Sequence, residues 1–430
     1  MGDKWTNIAI TTPGYLIPRG GEVACSSERI ISQEVDLICS GLLDSKAADI
    51  VHIRKPEWSP DMIELLISKI HRKYHSRLRL HDHFRLLDEY PEIGGVHLNS
   101  RNPIAPPNAR CVSASCHSIE EIDAKAAEYD YVTLSPVFDS ISKPGYTGRF
   151  ADKSVSSHLR GKNVIALGGV VPECFLILKQ LGYSGAAMLG HFWQDCTADR
   201  YPSIFNTCIS AKAIASNFSL QFVTDGKDVE ETVAQVRDAV KGGCRWIQIR
   251  MKGKSTREYD LAVDAVRDLC EQKSCTLLVD DNVDTAARKD IGVHLGKDDM
   301  STPQARNIIA PGAILGRTAN NEADLIDLEN APDVNYIGLG PFRFTQTKRK
   351  LAPVIGLEGY ALLMESKRLR GSHKPVVAIG GITPEDVTPL LATGVDGVAV
   401  SGAIAHASDR VEATRRFVNE INKYYNKQIL

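Results

Sequence analysis

The chain has 430 residues, 43% hydrophobic and 24% charged, ordinary proportions for a globular protein, which exclude disorder, collagen and coiled coil as its main state. Its 51 basic and 53 acidic side chains leave a formal charge of −2, so no global field draws nucleic acid or an anionic membrane, and any bound anion must be held by a local site. Ten cysteines without a C-x-x-C pair argue against a disulfide scaffold or zinc ribbon, and the lack of an apolar signal core or bilayer-length apolar run makes cytoplasmic the expected location.

In chain order, short β-branched runs alternate with longer amphipathic stretches. The first half predicts strands at 8–11, 50–53, 78–80, 95–98, 111–114, 131–134, 164–167 and 186–189. The run ISAKAIASNFS then predicts a closing helix and linker. The second half predicts strands at 220–224, 245–249, 276–279, 292–295, 313–315, 334–339, 376–379 and 397–400. A βαβα alternation implies a parallel sheet, and eight strands in each half predict an α/β protein of two tandem (βα)8 TIM barrels. An open doubly wound sheet is the alternative, because the pattern alone does not show closure. The expected domains are residues 1–205, a linker at 206–217, and residues 218–430.

The halves repeat one another. VHIRKP (51–56) answers IQIRMK (247–252), GGVHL (94–98) answers IGVHL (291–295), SPVFDSISK (135–143) answers GPFRFTQTK (340–348), and ALGGV (166–170) answers AIGGI (378–382). The order is the same in both halves. The offset grows from 196 at Val51 and Ile247 to 212 at Ala166 and Ala378, so the second copy carries short insertions. A diverged tandem duplication explains the pattern.

Barrel enzymes work at the C-terminal ends of their strands, and in the second half polar residues collect there. Arg250 and Lys252, two apart on an extended segment, point the same way and read as a diphosphate clamp. Thr345, Thr347 and Lys348 offer two hydroxyls and a cation for a second phosphate, or else form a solvated loop. Glycines after strands seven and eight, in IGGI and VSGA, let backbone N–H groups approach phosphate oxygens, although a tight turn alone also explains them. Asp281 and Asp299 end neighbouring strands and supply the hard oxygens that Mg²⁺ takes, with helix capping as the alternative for either alone. His294 reads as packed or hydrogen-bonded, and the scattered histidines, His71 and His75 among them, lack ligand spacing. These residues point to a Mg²⁺-dependent enzyme acting on a diphosphate ester, with charge stabilisation as its main catalytic means.

QIRMK, VDDNVDTA, GVHLGKDDM, GPFRFTQTK, AIGGI and DGVAVSGAI stand in order from Leu220 to Arg410, and with them the second half resembles thiamine phosphate synthase, a (βα)8 enzyme. The resemblance implies transfer of the 4-amino-2-methylpyrimidinylmethyl group from its diphosphate to thiazole phosphate, through a pyrimidine carbocation, giving thiamine phosphate and pyrophosphate. It implies that Arg250, Lys252, Thr345, Thr347 and Lys348 hold the diphosphate and its leaving group, and that Asp281 and Asp299 bind Mg²⁺. Gln248 and Thr318 would line the pyrimidine, and Gly381, Ser401 and Gly402 would hold the thiazole phosphate. The chain departs from the family where Asp280 replaces an asparagine facing the diphosphate and Lys297 replaces a glutamine; the expectation is that Lys297 or Mg²⁺ offsets the Asp280 charge.

The first half is similar to the thiazole tautomerase branch of the same superfamily. It keeps Arg54, Lys55, the series Ser140, Ser142 and Lys143, and the pair Gly168 and Gly169, but has Asn102 at the second metal position and His81-Asp82 after strand three. One carboxylate is a poor Mg²⁺ site, so diphosphate ionisation is not expected there. In SCHS, His117 would either shuttle a proton between thiazole tautomers or cap the helix beginning SIEEID. The first barrel is thus read as a tautomerase or as a non-catalytic, phosphate-binding copy. A phosphate sensor without turnover is the third reading. The expected partners are the two small-molecule substrates, with no nucleic acid and no membrane; a homo-oligomer or an intrachain pseudo-dimer is left open.

Overall fold

The structure, a computed structural model, describes residues 5–14, 27–139, 147–193, 201–344 and 353–427. It divides into two compact units, Met1–Ser216 and Asn217–Leu430. Each is a closed, all-parallel eight-stranded barrel with helices between its strands, so both halves are (βα)8 TIM barrels.

The first barrel runs β1 (Thr6–Ile10), β2 (Ile50–Ile53), β3 (Leu78–Leu80), β4 (Gly95–Leu98), β5 (Val112–Cys116), β6 (Tyr131–Leu134), β7 (Val164–Leu167) and β8 (Gly185–Met188). It closes where Ile8 of β1 registers with Ala187 of β8. The second runs β9 (Leu220–Val223), β10 (Trp246–Ile249), β11 (Thr276–Asp280), β12 (Gly292–Leu295), β13 (Leu315–Ala319), β14 (Tyr336–Leu339), β15 (Val376–Ile379) and β16 (Gly397–Val400), closing where Ala399 meets Gln221. β13 lies later than the expected 313–315. Its apolar run marks only its start, and the strand continues through Gly316, Arg317 and Thr318 because this part of the barrel interior is polar.

Each strand is two-faced, as the period of two demands. In β10, Ile247 and Ile249 join the core under the helices with Val279, Val293, Leu295, Ile337 and Leu339. Trp246 and Gln248 point inward. The floor of the second barrel is an aromatic plug in which Phe218, Trp246 and Tyr336 meet edge to face, with ring centroids 5.1–5.5 Å apart. Gly316 faces this interior, and a Cβ there would stand 2.3 Å from the Tyr336 ring and 2.5 Å from His294 Nδ1, so only glycine fits. The helices are fixed by local chemistry: Ser255 and Glu258 form a reciprocal capping box at the start of Thr256–Gln272.

The expected linker at 206–217 is helical, being most of the helix Tyr201–Asn217. Its Phe205 and Cys208 lie in the first barrel's core, and a Cβ on Gly41 would collide with the Phe205 ring at 2.5 Å. The small residues of ISAKAIASN therefore form a closing helix rather than a tether, and the units divide between 216 and 217.

Candidate active site

A row of hydrogen-bonded side chains crosses the interior of the second barrel. Gln248 donates to Asp280 and accepts from Gln221 Nε2 at 2.7 Å. Gln221 also donates to the Tyr336 hydroxyl at 2.9 Å. That hydroxyl meets His294 Nδ1 at 2.9 Å, and His294 Nε2 meets Thr318 Oγ1 at 3.0 Å. The row satisfies groups that could not otherwise be buried, since Gln221, Gln248 and His294 are 2%, 3% and 7% exposed. His294 is thus hydrogen-bonded, as read from the sequence. Asp280 and Thr318 end the row, with Gln248 next to Asp280.

Above the row, charges converge. Arg250 is ion-paired by Nε to Asp280 at 3.0 Å and by Nη1 to Asp225 at 3.3 Å, and Asp225 also meets His406 Nε2 at 3.3 Å. The Asp280 charge is therefore met by Arg250 and Gln248. Lys297 does not meet it: its ammonium lies 2.7 Å from Asp324, which corrects the expectation that Lys297 compensates Asp280. A cleft of about 440 Å³ opens at the ends of β10 and β11, lined by Arg250, Lys252, Asp280, Asp281, Asn282 and Met300 among others.

Asp281 sits at the mouth with φ of +61°, its N–H bonded to the His294 carbonyl at 2.9 Å. Burial chiefly, then the neighbouring Asp280 carboxylate, then the hydrogen bond and charge of Asp299, push the Asp281 carboxyl up to about 8, with Arg250 pulling the other way. Asp299 also accepts from the Gly296 N–H at 2.6 Å. Neither residue caps a helix: Asn282 caps Val283–Lys289, and Ser301 precedes Thr302–Ile308. Two carboxylates drawn together at a cleft are mutually unfavourable without a cation, and this donor set fits Mg²⁺.

The positions expected to bind the thiazole phosphate form a separate group, absent from the lining of that cleft. Gly380 and Gly381 adopt φ of +110° and +67°, which a side chain would strain, and a Cβ on Gly380 would stand 3.0 Å from Pro341. Ser401 follows β16, and its Oγ is buried without a hydrogen-bond partner among the described residues; Gly402 opens the helical turn Gly402–Ala405. An orphaned hydroxyl beside a glycine turn is where an incoming oxyanion would be bound. Thr345, Thr347 and Lys348 lie outside the described residues, as do Ser140, Ser142 and Lys143.

Reading the sequence strand end by strand end missed Gln221, Tyr336, Asp225 and Arg317. Arg317 Nη1 donates to the Met300 carbonyl at 3.0 Å, and the Asp299 charge acts on its guanidinium. The arginine in LGRTA was a signal, hidden by the early placement of β13.

In the first barrel Asp82 is held by Arg101, with Nη2 at 3.2 Å, and by Asn102 Nδ2 at 2.8 Å, so its charge is already met, and among the described residues no second carboxylate joins it. The aligned repeat places Lys55 opposite Met251, and the structure turns it into the core, where its ammonium lies 2.7 Å from Glu34 Oε1; it is not a clamp residue. His117 is exposed, with Nδ1 3.1 Å from the Ser135 hydroxyl. Ser118, not His117, caps the helix Ile119–Lys125. Gly168 and Gly169 keep the positive φ of their counterparts, at +94° and +64°.

The histidine reading needs a larger correction. His52, His81 and His97, far apart in sequence, meet inside the first barrel.

A closed parallel barrel with acids, cations and glycine turns at its strand ends is the architecture of a (βα)8 enzyme. A family model for thiamine monophosphate synthase matches residues 24–192 and 220–404. The chain belongs to that family, and it is an enzyme, a transferase of thiamine biosynthesis. Among its relatives, the thiamine-phosphate synthase of Bacteroides fragilis is 44% identical over 202 residues, 47% of this chain and 98% of that protein. The thiamine-phosphate synthase of Flavobacterium psychrophilum is 38% identical over 205 residues, 47% of this chain and 97% of its own length. A solved thiamine phosphate pyrophosphorylase from Pyrococcus furiosus is 35% identical, with a TM-score of 0.43, covering 48% of this chain and 96% of that one.

Proposed function

We propose that the second barrel joins 4-amino-2-methyl-5-hydroxymethylpyrimidine diphosphate to thiazole phosphate, releasing pyrophosphate and thiamine phosphate. The observation that carries this reading is the approach of Asp299 to Asp281, which lines the cleft together with Arg250. Asp281 and Asp299 would hold Mg²⁺, which when bound neutralises the departing diphosphate. Arg250 and Lys252 bind the diphosphate, and the salt bridges to Asp225 and Asp280 hold the Arg250 guanidinium in place before substrate arrives. Asp280, fixed by Arg250 and Gln248, faces the same cleft. Gln248 and Thr318 orient the pyrimidine from two separate positions along the interior row. Thr345, Thr347 and Lys348 complete the diphosphate contacts, while Gly381, Ser401 and Gly402 hold the thiazole phosphate. A coupling assay on the full chain with both ring substrates tests the reading: pyrophosphate release that survives removal of Mg²⁺ by EDTA would refute it.

Ser401 gives a sharper check. Its Oγ has no hydrogen bond to lose, so Ser401→Ala leaves the melting temperature essentially unchanged. A lost hydrogen bond to a charged group is worth about 1.5–3 kcal/mol, so KM for thiazole phosphate rises about tenfold or more, with the pyrimidine KM unmoved. Steady-state kinetics with each substrate varied measures both.

For the first barrel we propose thiazole tautomerisation with His117 as the proton carrier, supported by its exposed imidazole beside Ser135 and by the retained glycine pair. The other reading, a non-catalytic phosphate-binding barrel, draws on the same glycines together with the neutralised Asp82. His117→Ala slows tautomer exchange at least about 10²-fold in the first case. An unchanged rate, followed by NMR of thiazole phosphate, leaves the second. A cytoplasmic location suits both; among the described residues no helix is long and apolar enough to cross a membrane.

A further inference from the structure

The registers of the two barrels put the same interior positions side by side. Val51 pairs with Leu78 as Ile247 pairs with Leu277, so His52 stands where Gln248 stands and His81 where Asp280 stands. His97 of β4 matches His294 of β12. The amide and carboxylate of the second barrel are thus replaced in the first by two imidazoles beside a third. One nitrogen from each of His52, His81 and His97 lies within 4.8 Å of the others, and all three residues are buried.

The hydrogen bonds around them are those of a ligand set. Ser113 Oγ donates to the Val96 carbonyl at 3.1 Å, so it accepts from His97 Nδ1 at 2.9 Å. The ring proton of His97 is thereby fixed on Nδ1, and Nε2, 2.9 Å from Ser115 Oγ, keeps its lone pair. His52 Nδ1 and His81 Nε2 face each other at 2.8 Å and share one hydrogen. When that hydrogen lies on the far nitrogen of its ring, both lone pairs point into the cluster, with His52 Nε2 held by the Tyr131 hydroxyl at 2.7 Å. Metal–imidazole bonds of about 2.0–2.1 Å require donors roughly 3.3–3.4 Å apart, within reach of small ring rotations.

We propose that His52, His81 and His97 form a three-imidazole site for one borderline divalent transition-metal ion of the Zn²⁺ class. Nitrogen donors select such an ion over Mg²⁺, which the carboxylates of the second barrel suit. Three neutral imidazoles leave the ion's charge unmet, so the fourth ligand is an anion, either hydroxide or an oxygen of an anionic ligand.

The test uses the full chain, stripped of metal by chelator and titrated with Co²⁺ in excess Mg²⁺. One Co²⁺ per chain binds with a visible d–d spectrum of four- or five-coordinate intensity, without thiolate charge transfer, and Zn²⁺ displaces it. His81→Gln and His97→Gln each weaken Co²⁺ binding by about 100-fold or more, with circular dichroism confirming the fold. Should wild-type protein show no such band, or should Zn²⁺ fail to displace it, the site does not exist. Affinity unchanged in both variants overturns the assignment equally.

Discussion

Asp281→Ala in the full chain lowers Mg²⁺-dependent pyrophosphate release by about 10²–10³-fold, the scale expected when one preorganised charge-stabilising contact is lost from a transition state. Asp299→Asn has an effect of the same order. Both substitutions act at the point where the two carboxylates approach, with Arg250 acting on Asp281 and Asp299 acting on Arg317. The apparent Mg²⁺ affinity should fall with the rate, so a titration at fixed substrate separates a ligand role from a purely structural one. Stability should move the other way. Asp281 is held in the folded state with its carboxyl raised to about 8 by burial and two acidic neighbours, so removing it relieves a cost and leaves the melting temperature equal or higher. Full turnover in either variant would remove the metal assignment.

Glu34→Leu destabilises the first barrel by about 3–5 kcal/mol, the cost of leaving a buried charge without its partner. Lys55 and Glu34 are both fully enclosed, with the ammonium 2.7–2.8 Å from the two carboxylate oxygens, 2.7 Å from the Gly14 carbonyl, and 4.5 Å from the Trp58 ring centre. Burial lowers the Lys55 ammonium and raises the Glu34 carboxyl, each opposed by the other's charge. The double substitution Glu34→Leu with Lys55→Met, which restores the methionine of the second barrel, should recover most of the loss. Denaturant unfolding followed by hydrogen exchange in the first barrel measures both. Equal stability of Glu34→Leu and wild type would show that the pair contributes nothing.

The architecture was legible because parallel strands buried on both faces read as short apolar runs, and fifteen or more residues of helix-forming chain separate most of them. Motifs at strand ends placed Arg250, Lys252, Asp281 and Asp299, since there the side chain's position follows from the strand's end. Lys55 misled because a cation next to Arg54 looks like a clamp, yet alternation along the strand turns it inward to Glu34. Gln221, Tyr336 and the three histidines were not legible for a different reason. Each is one inward position in an apolar run, and its partners come from other strands, so only closure of the barrel brings His52, His81 and His97 together.

The polar row that crosses the second barrel stands in the strands themselves, above the Phe218, Trp246 and Tyr336 floor and below the loops. Its counterpart in the first barrel uses the same registers with different atoms. Donor chemistry can therefore be rewritten at this level by single substitutions, with every backbone ladder left in place. Glutamine and aspartate at two positions join a hydrogen-bonded row that meets Arg250, whereas histidine at the same two positions brings ring nitrogens together. A pair of sister barrels can in this way part company in reactivity long before either changes shape.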